Sequence, residues 1–428
     1  FLNAIAGTLL TVLFVFTIIV LIFTPIFVLI FAPGFYIDPL KKDLSIQVLR
    51  IMFPYLALMS LVAFAGGIQN THQKFSVPAF TPVLFNLSLI IAAVFVAPYY
   101  DMPIYVLAWG VLLAGFLQLL IQISPLMSID RLPVPKLDFK NKGVKRFITL
   151  ILPAILAGGI FQINLLIDTI FASILETGSP TWLYVSDRLI QFPLGIFAIA
   201  IGTVLLPTLS KYDLNYEKNK FIQSIKNGQR FVLFIGVPSL IGLFFCAEDI
   251  ISTIFYRGAF TKIDVIKSSY SLMAFSLGLP FFMLMKVLTP AFFSRKDTKT
   301  PMIVALISLI LNVLFNYFLA FVMGFGHVGI ALGSSIAALI SVCILEIILY
   351  KDGFIKLNSL FNKFNVMILV ASLSLIIFLH FFSQSINFID LDQLDRIFFL
   401  MIEVTAAIFI YFSISRIIFG KPLKTILE

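Results

Sequence analysis

Arg188 is the side chain that most needs a chemical reason. It stands in an apolar run that opens Thr181-Trp182-Leu183-Tyr184-Val185-Ser186-Asp187-Arg188-Leu189-Ile190-Gln191. On a helix rising about 1.5 Å per residue, that puts it roughly 10 Å from the start of the run. Residues 181, 184, 188 and 191 share one helical face, with Asp187 beside them. A single polar stripe on an apolar helix must face protein or water. A guanidinium there suits a carboxylate or a phosphate, because its planar fork donates two parallel hydrogen bonds. Neighbouring helical residues point about 100° apart, so Asp187 is a poor partner for Arg188. Arg188, Asp187, Thr181, Tyr184 and Gln191 therefore form a candidate anion-binding set. The plainer alternative is that Asp187 and Arg188 only help a helix pair to fold.

A second group could hold a cation. Asp168 closes the stretch Gln162-Ile163-Asn164-Leu165-Leu166-Ile167-Asp168, and Asn312 and Asn316, four apart, share a face of the helix that starts at Pro301. One carboxylate and two amide oxygens can ligate a hard cation such as Na⁺, and buried asparagines serve equally as hydrogen-bonding glue between helices. Arg50, Lys286, Glu346 and Glu403 read as snorkelling or near-end charges. His380 reads as a satisfied interfacial histidine. No HExxH, GxSxG, P-loop or Cys/His cluster occurs, so an enzyme is not expected. Cys246 and Cys343 both lie in apolar runs and imply no disulfide framework.

The elements that carry these residues follow from composition. Of 428 residues, 60% are apolar and 12% charged, and soluble domains carry about 25% charge. Soluble enzymes, disordered linkers and secreted disulfide scaffolds are excluded. A bilayer core of about 30 Å needs about 20 apolar helical residues. Twelve such spans are expected, at 4–32, 45–69, 79–98, 103–125, 147–175, 181–209, 228–247, 268–293, 301–323, 327–350, 364–383 and 397–419. The fold class is all-α, a polytopic membrane protein. Loops on the side of residue 1 carry twenty-one Lys and Arg, against six on the other side. By the positive-inside rule both ends of the chain are cytoplasmic. Topology thus accounts for the net charge of +9, and no nucleic-acid partner is needed.

Two stretches repeat. Gln69–Asn86 and Phe292–Leu309 each end an apolar helix in a polar, basic turn, after which Pro78 or Pro301 opens the next helix. The resemblance is weak; it suggests two parallel six-helix halves, as in transporters built from similarly oriented repeats, and the plainer alternative is that a Pro after a basic turn is common in any polytopic protein. The second half is complete. The first holds four helices and would need two more ahead of Phe1, so the chain reads as a fragment. The expected domains are an incomplete N-terminal lobe at 1–125, a C-terminal lobe with its leading loop at 126–350, and a helix pair at 351–428.

RIMFPYLALMSLVAFAGGIQNTHQKFSVPAFTPVLFN (50–86), WLYVSDRLIQFPLGIFAIAIGTVLLPTLSK (182–211), FYRGAF (255–260) and SRKDTKTP (294–301) resemble the bacterial lipid II flippases of the MurJ/MviN type. These belong to the multidrug/oligosaccharidyl-lipid/polysaccharide exporter superfamily. The resemblance implies a fourteen-helix fold, here without its first two helices, in the bacterial inner membrane. It implies alternating-access transport of a lipid-linked anionic precursor by a monomer among membrane lipids, with the lipid tail along the last helix pair. Arg188 matches a cavity arginine of the family, with Asp187 beside it. Thr181 stands where a serine is frequent, and Gln191 replaces a frequent Glu. Asp168, Asn312 and Asn316 fall on positions similar to a sodium site of some members; no other cofactor is implied. The rival readings are another exporter of the superfamily, for a polysaccharide lipid or a drug, or an inactive remnant.

Overall fold

The structure, a computed structural model, describes residues 2–138, 141–213, 216–355 and 363–420, apart from the side chains at 142, 148, 150–161, 363 and 419. Every extended element among them is a helix. The chain divides into two units, 1–159 and 160–428.

The first unit contains α1 (Leu2–Ile22), α2 (Pro39–Met52), α3 (Pro54–Thr71), α4 (Ser76–Ile91) and α5 (Pro103–Ser128), and the unit boundary falls within α6 (Lys142–Ile174). Prolines open α2, α3 and α5, where the missing N–H costs nothing and φ is already helical. Asp38 caps α2 by accepting from the backbone N–H of Leu40 and Lys41. Inside the unit, Gln118 Nε2 donates to Thr81 O at 2.8 Å and Gln69 Nε2 donates to Gln122 Oε1, so buried amides tie α3, α4 and α5 together.

The second unit continues with α7 (Ser179–Pro193), α8 (Ile199–Ser210), α9 (Lys218–Phe245), α10 (Ala247–Phe255), α11 (Lys262–Phe293), α12 (Lys299–Tyr317), α13 (Gly326–Lys351), α14 (Lys363–Ser385) and α15 (Gln393–Phe419). The core runs along α11, where Leu272, Leu279, Met283 and Leu288 are fully buried, and meets Ile330 and Leu345 of α13. A single π-turn, Leu194–Ala198, joins α7 to α8 after Pro193. A separate core holds α14 and α15 on α9: Met367, Ala371, Leu375 and Leu379 pack with Phe234, and Tyr411 Oη donates to Phe234 O at 2.9 Å.

The two turns of the expected repeat end their helices alike, in a form that also ends α5 at Asp130 and α13 at Gly353. Gln73 and Lys296 each take a left-handed conformation, φ +58° and +63°. After Gln73, Lys74 N–H bonds Gln69 O at 2.9 Å; after Lys296, Asp297 N–H bonds Phe292 O at 3.1 Å. Both are the six-to-one bond of a Schellman stop. The next helices each begin three residues after the left-handed one, at Ser76 and Lys299, and each runs into a π-turn, Ala92–Val96 and Phe318–Val322.

Eleven helices among the described residues are long and apolar enough to cross a membrane. The remaining expected span, 147–175, coincides with most of α6, whose described side chains form a shorter apolar stretch, Gln162–Ile174. The first expected span, 4–32, is broken at Phe23, and Thr24–Phe31 is a separate short helix. Pro25 in its first turn cannot continue the hydrogen-bond ladder of α1.

One of the four charges read as snorkelling or near-end is neither. Glu403 is fully buried and accepts a hydrogen bond from Cys246 Sγ at 3.2 Å. Glu346 accepts from Gln229 Nε2 at 3.0 Å. A glutamate is too short to reach the interface from ten residues inside α15, so the lobe itself must supply its partner.

Candidate functional site

α7 has two faces with different jobs. Trp182, Val185, Ser186 and Ile190 are buried. Trp182 Nε1 donates to Asp264 Oδ1 at 2.7 Å, and Ser186 Oγ donates to Ser268 O at 2.8 Å, so α7 is bonded to α11 at two successive turns. Asp264 is itself fixed by the capping box it forms with Thr261 at the start of α11. The His327 ring, 4.8 Å from that of Trp182, donates from Nε2 to Lys267 O at 3.0 Å and adds α13 to the joint.

The opposite face carries the residues singled out by spacing. Thr181, Tyr184, Arg188 and Gln191 are all exposed. The Arg188 guanidinium lies over the Tyr184 ring at 4.9 Å, a cation–π contact that orients it without consuming its N–H donors. Among the described residues Arg188 takes part in no ion pair. Asp187 accepts from Gln191 Nε2 at 3.3 Å rather than neutralising Arg188. The arrangement leaves a positioned guanidinium free to bind an anion.

The second candidate group also comes together. Asn316 Nδ2 donates to Asp168 Oδ1 at 2.6 Å and to Asn312 Oδ1 at 3.0 Å. Asn312 Nδ2 donates to Ser334 Oγ at 2.9 Å, and Ser334 Oγ donates to Asp168 Oδ2 at 3.4 Å. Helices α6, α12 and α13 each contribute, and Asn312 and Asn316 are fully buried. Asn316 Oδ1 is buried with no partner among the described residues. A carboxylate, two amide oxygens and a hydroxyl fit a hard monovalent cation better than a soft metal. No group of three or more His, Cys, Asp or Glu occurs among the described residues. Asp187 is close enough to Asp168 for their charges to interact, so the two groups are neighbours in one unit.

Sequence reasoning missed Ser334 and Gly333. The signal was Gly333-Ser334-Ser335 inside an apolar span, since small residues mark the face where helices approach closely. A Cβ at Gly333 would fall on Asn316 Oδ1, which fixes how near α13 comes to α12. Asn164, one turn before Asp168, also has a buried Oδ1 without a partner.

The family model described as lipid II flippase MurJ matches residues 1–420. The chain belongs to the lipid II flippase MurJ family. A probable MurJ of Vibrio cholerae is 42% identical over 313 residues, covering 73% of this chain and 59% of that protein. One of Haemophilus influenzae is 36% identical over 425 residues, covering 96% and 83%. The chain thus spans less than two thirds of the first relative and most of the second. A solved lipid II flippase MurJ in an inward closed conformation superposes with a TM-score of 0.81 at 26% identity, covering 99% of this chain and 84% of that one. Family membership and eleven apolar helices make the chain a multi-pass protein of the bacterial inner membrane.

Proposed function

We propose that this chain moves lipid II across the inner membrane and that Arg188 binds the pyrophosphate of its headgroup. The observation that carries this is the exposed guanidinium on α7, steered by Tyr184 and free of ion pairs among the described residues. A membrane span keeps such a charge only for a reason, since insertion costs about 2.5–3.5 kcal/mol at mid-bilayer. Thr181 and Gln191 on the same face offer hydroxyl and amide donors to sugar or phosphate oxygens. The isoprenoid tail would lie along α14 and α15, whose Leu369, Leu373, Phe398 and Met401 are exposed and apolar.

The same reading gives Asp168, Asn312, Asn316 and Ser334 the role of holding Na⁺. The ion's charge there would balance Asp168 and be felt by Asp187, which lies next to Arg188 in the chain. The basic turns after α3 and α11 would face the cytoplasm, as the charge bias requires.

Replacement of Arg188 in the full-length gene, expressed in a flippase-depleted strain, tests the substrate role. A bidentate guanidinium contact does not survive conversion to a point charge. Arg188→Lys should impair growth and Arg188→Ala abolish it, both at normal protein abundance in the membrane. Full growth of Arg188→Ala at normal abundance refutes the role. Tolerance of Lys together with loss of the Ala protein from the membrane would make Arg188 a folding residue.

A further inference from the structure

Away from both candidate sites, two carboxyl groups are buried where the last helix meets the lobe. Glu403 of α15 is 0% exposed and Asp249 of α10 is 4% exposed. Cys246, 3% exposed, stands at the N-cap of α10 and donates from Sγ to Glu403 Oε1 at 3.2 Å. The remaining oxygens, Glu403 Oε2 and Asp249 Oδ2, are buried without any hydrogen-bond partner among the described residues.

The charges facing this pair do not balance it: the start of α11, which packs along α10, has Lys262 exposed, Asp264 in its capping box and Lys267 paired with Glu176, and Asp390 before α15 accepts from Asn387. The outer half of α9, residues 231–245, has no ionisable side chain. α10 adds Glu248, a further negative charge near Asp249. α14 offers Ser383 to Asp249, while its His380 is exposed and shares a hydrogen bond with Gln384 at 3.3 Å. Arg396 of α15 reaches α10 but only through carbonyls: its guanidinium donates to Phe388 O at 2.8 Å, Ile389 O at 3.0 Å and, at 3.5 Å, Ser252 O and Tyr256 O, and lies over the Tyr256 ring. Neither acid forms an ion pair among the described residues. Two neighbouring carboxylates in such a place cannot both be charged without a counter-ion. A proton is the smallest ligand that meets the need, and each partnerless oxygen is a place to carry it.

We propose that Asp249 and Glu403 together carry one proton while α15 is clasped on α10, and that the proton is lost when this junction opens. Burial first, then the neighbouring Glu403 charge, pushes Asp249 up to about 8. The sign follows from linkage: the clasped form holds a proton that the opened, hydrated form releases above its ordinary value near 4. Raising the pH therefore favours opening across the interval from about 4 to about 8, by about tenfold per unit, and no further above it. The inference uses no residue of the proposed lipid II or Na⁺ sites, and its failure would leave them standing.

Cys246 reports on the clasp. In Cys343→Ser protein reconstituted in nanodiscs it is the sole thiol. Its reaction with a maleimide needs both an open junction and a thiolate, each rising about tenfold per pH unit between about 6 and 8. The logarithm of the rate should climb with a slope near two. Adding Asp249→Asn and Glu403→Gln, which keep the shapes and remove the charges, should lower the slope to near one. Equal slopes in the two proteins overturn the proposal. A second reading needs no variant that perturbs packing: the infrared spectrum of the unmodified protein at neutral pH should contain the carbonyl stretch of an un-ionised carboxylic acid, and its absence overturns the proposal equally.

Discussion

Gly333→Ala puts the Asp168 cluster to a quantitative test. The new Cβ would fall on Asn316 Oδ1, with Asn316 N at 3.0 Å and Asn316 Cγ at 3.3 Å. The amide cannot simply swing away, because its Nδ2 is held at 2.6 Å by Asp168 and at 3.0 Å by Asn312. Either α12 and α13 separate or those bonds break. Overpacking costs about 1–3 kcal/mol, and losing a hydrogen bond to a charged acceptor costs about 1.5–3 kcal/mol. The better helix propensity of Ala returns about 1 kcal/mol. Relative to an unhindered Gly→Ala change, which gains the same propensity, the loss is about 1–3 kcal/mol whichever gives way, equivalent for a unit of this size to a melting point lower by roughly 2–6 °C.

Gly242→Ala in α9 is the matched control, since a Cβ there meets nothing within 4 Å. Thermal unfolding in detergent, followed by the fluorescence of Trp182 and Trp109, compares the two. If Gly333→Ala melts within about a degree of Gly242→Ala, the close packing of α12 on α13 is wrong. The same assay separates packing from ligand. Na⁺ at about ten times its dissociation constant should stabilise the unsubstituted protein by about 1.4 kcal/mol relative to choline, and should not stabilise Gly333→Ala. Indifference of the unsubstituted protein to Na⁺ removes the cation and leaves the packing argument intact.

Orientation and the last hairpin give two more expectations. Asp297→Cys, in the basic turn after α11, should be protected from an impermeant maleimide in intact cells, whereas Asp392→Cys should react; the reverse pattern inverts the proposed topology. Arg396→Leu strips donors from Phe388 O and Ile389 O and should cost about 2–4 kcal/mol. Chymotrypsin should then cut at Phe388, which is buried in the unsubstituted protein, and unchanged resistance would show that the clip is dispensable.

The sequence made one kind of information easy to read and another nearly invisible. Periodicity told which residues share a face: the stripe 181, 184, 188 and 191 is exposed throughout, and the turn after α3 reappears after α11 with the same left-handed residue and the same closing bond. Such relations are local, fixed by 3.6 residues per turn and by turn chemistry. What a face meets is not local. Trp182 finds Asp264 82 residues on, and Cys246 finds Glu403 157 residues on. Glu403 was misread as snorkelling because depth along a helix was legible while its neighbour was not.

The same distinction explains why both candidate sites depend on a helix that contributes no residue to either. α7 is bonded to α11 through Trp182 and Ser186. α13 is bonded to α11 through His327 to Lys267 O and through Ser335 Oγ to Ala274 O at 2.8 Å. α12 reaches the frame through Asn312 and Ser334, and α6 through Asp168. The Arg188 face and the Asp168 cluster are therefore held in register by three backbone carbonyls and the Asp264 carboxylate of α11, the most deeply buried span among the described residues. Carbonyl acceptors place no demand on residue type at their own positions, so apart from Asp264 α11 reads in the sequence as packing alone. Interhelical hydrogen bonds of this kind are each worth about 0.6 kcal/mol within a membrane. Several together hold a frame, while each is weak enough that α7 could shift on α11 under the anion binding proposed for Arg188.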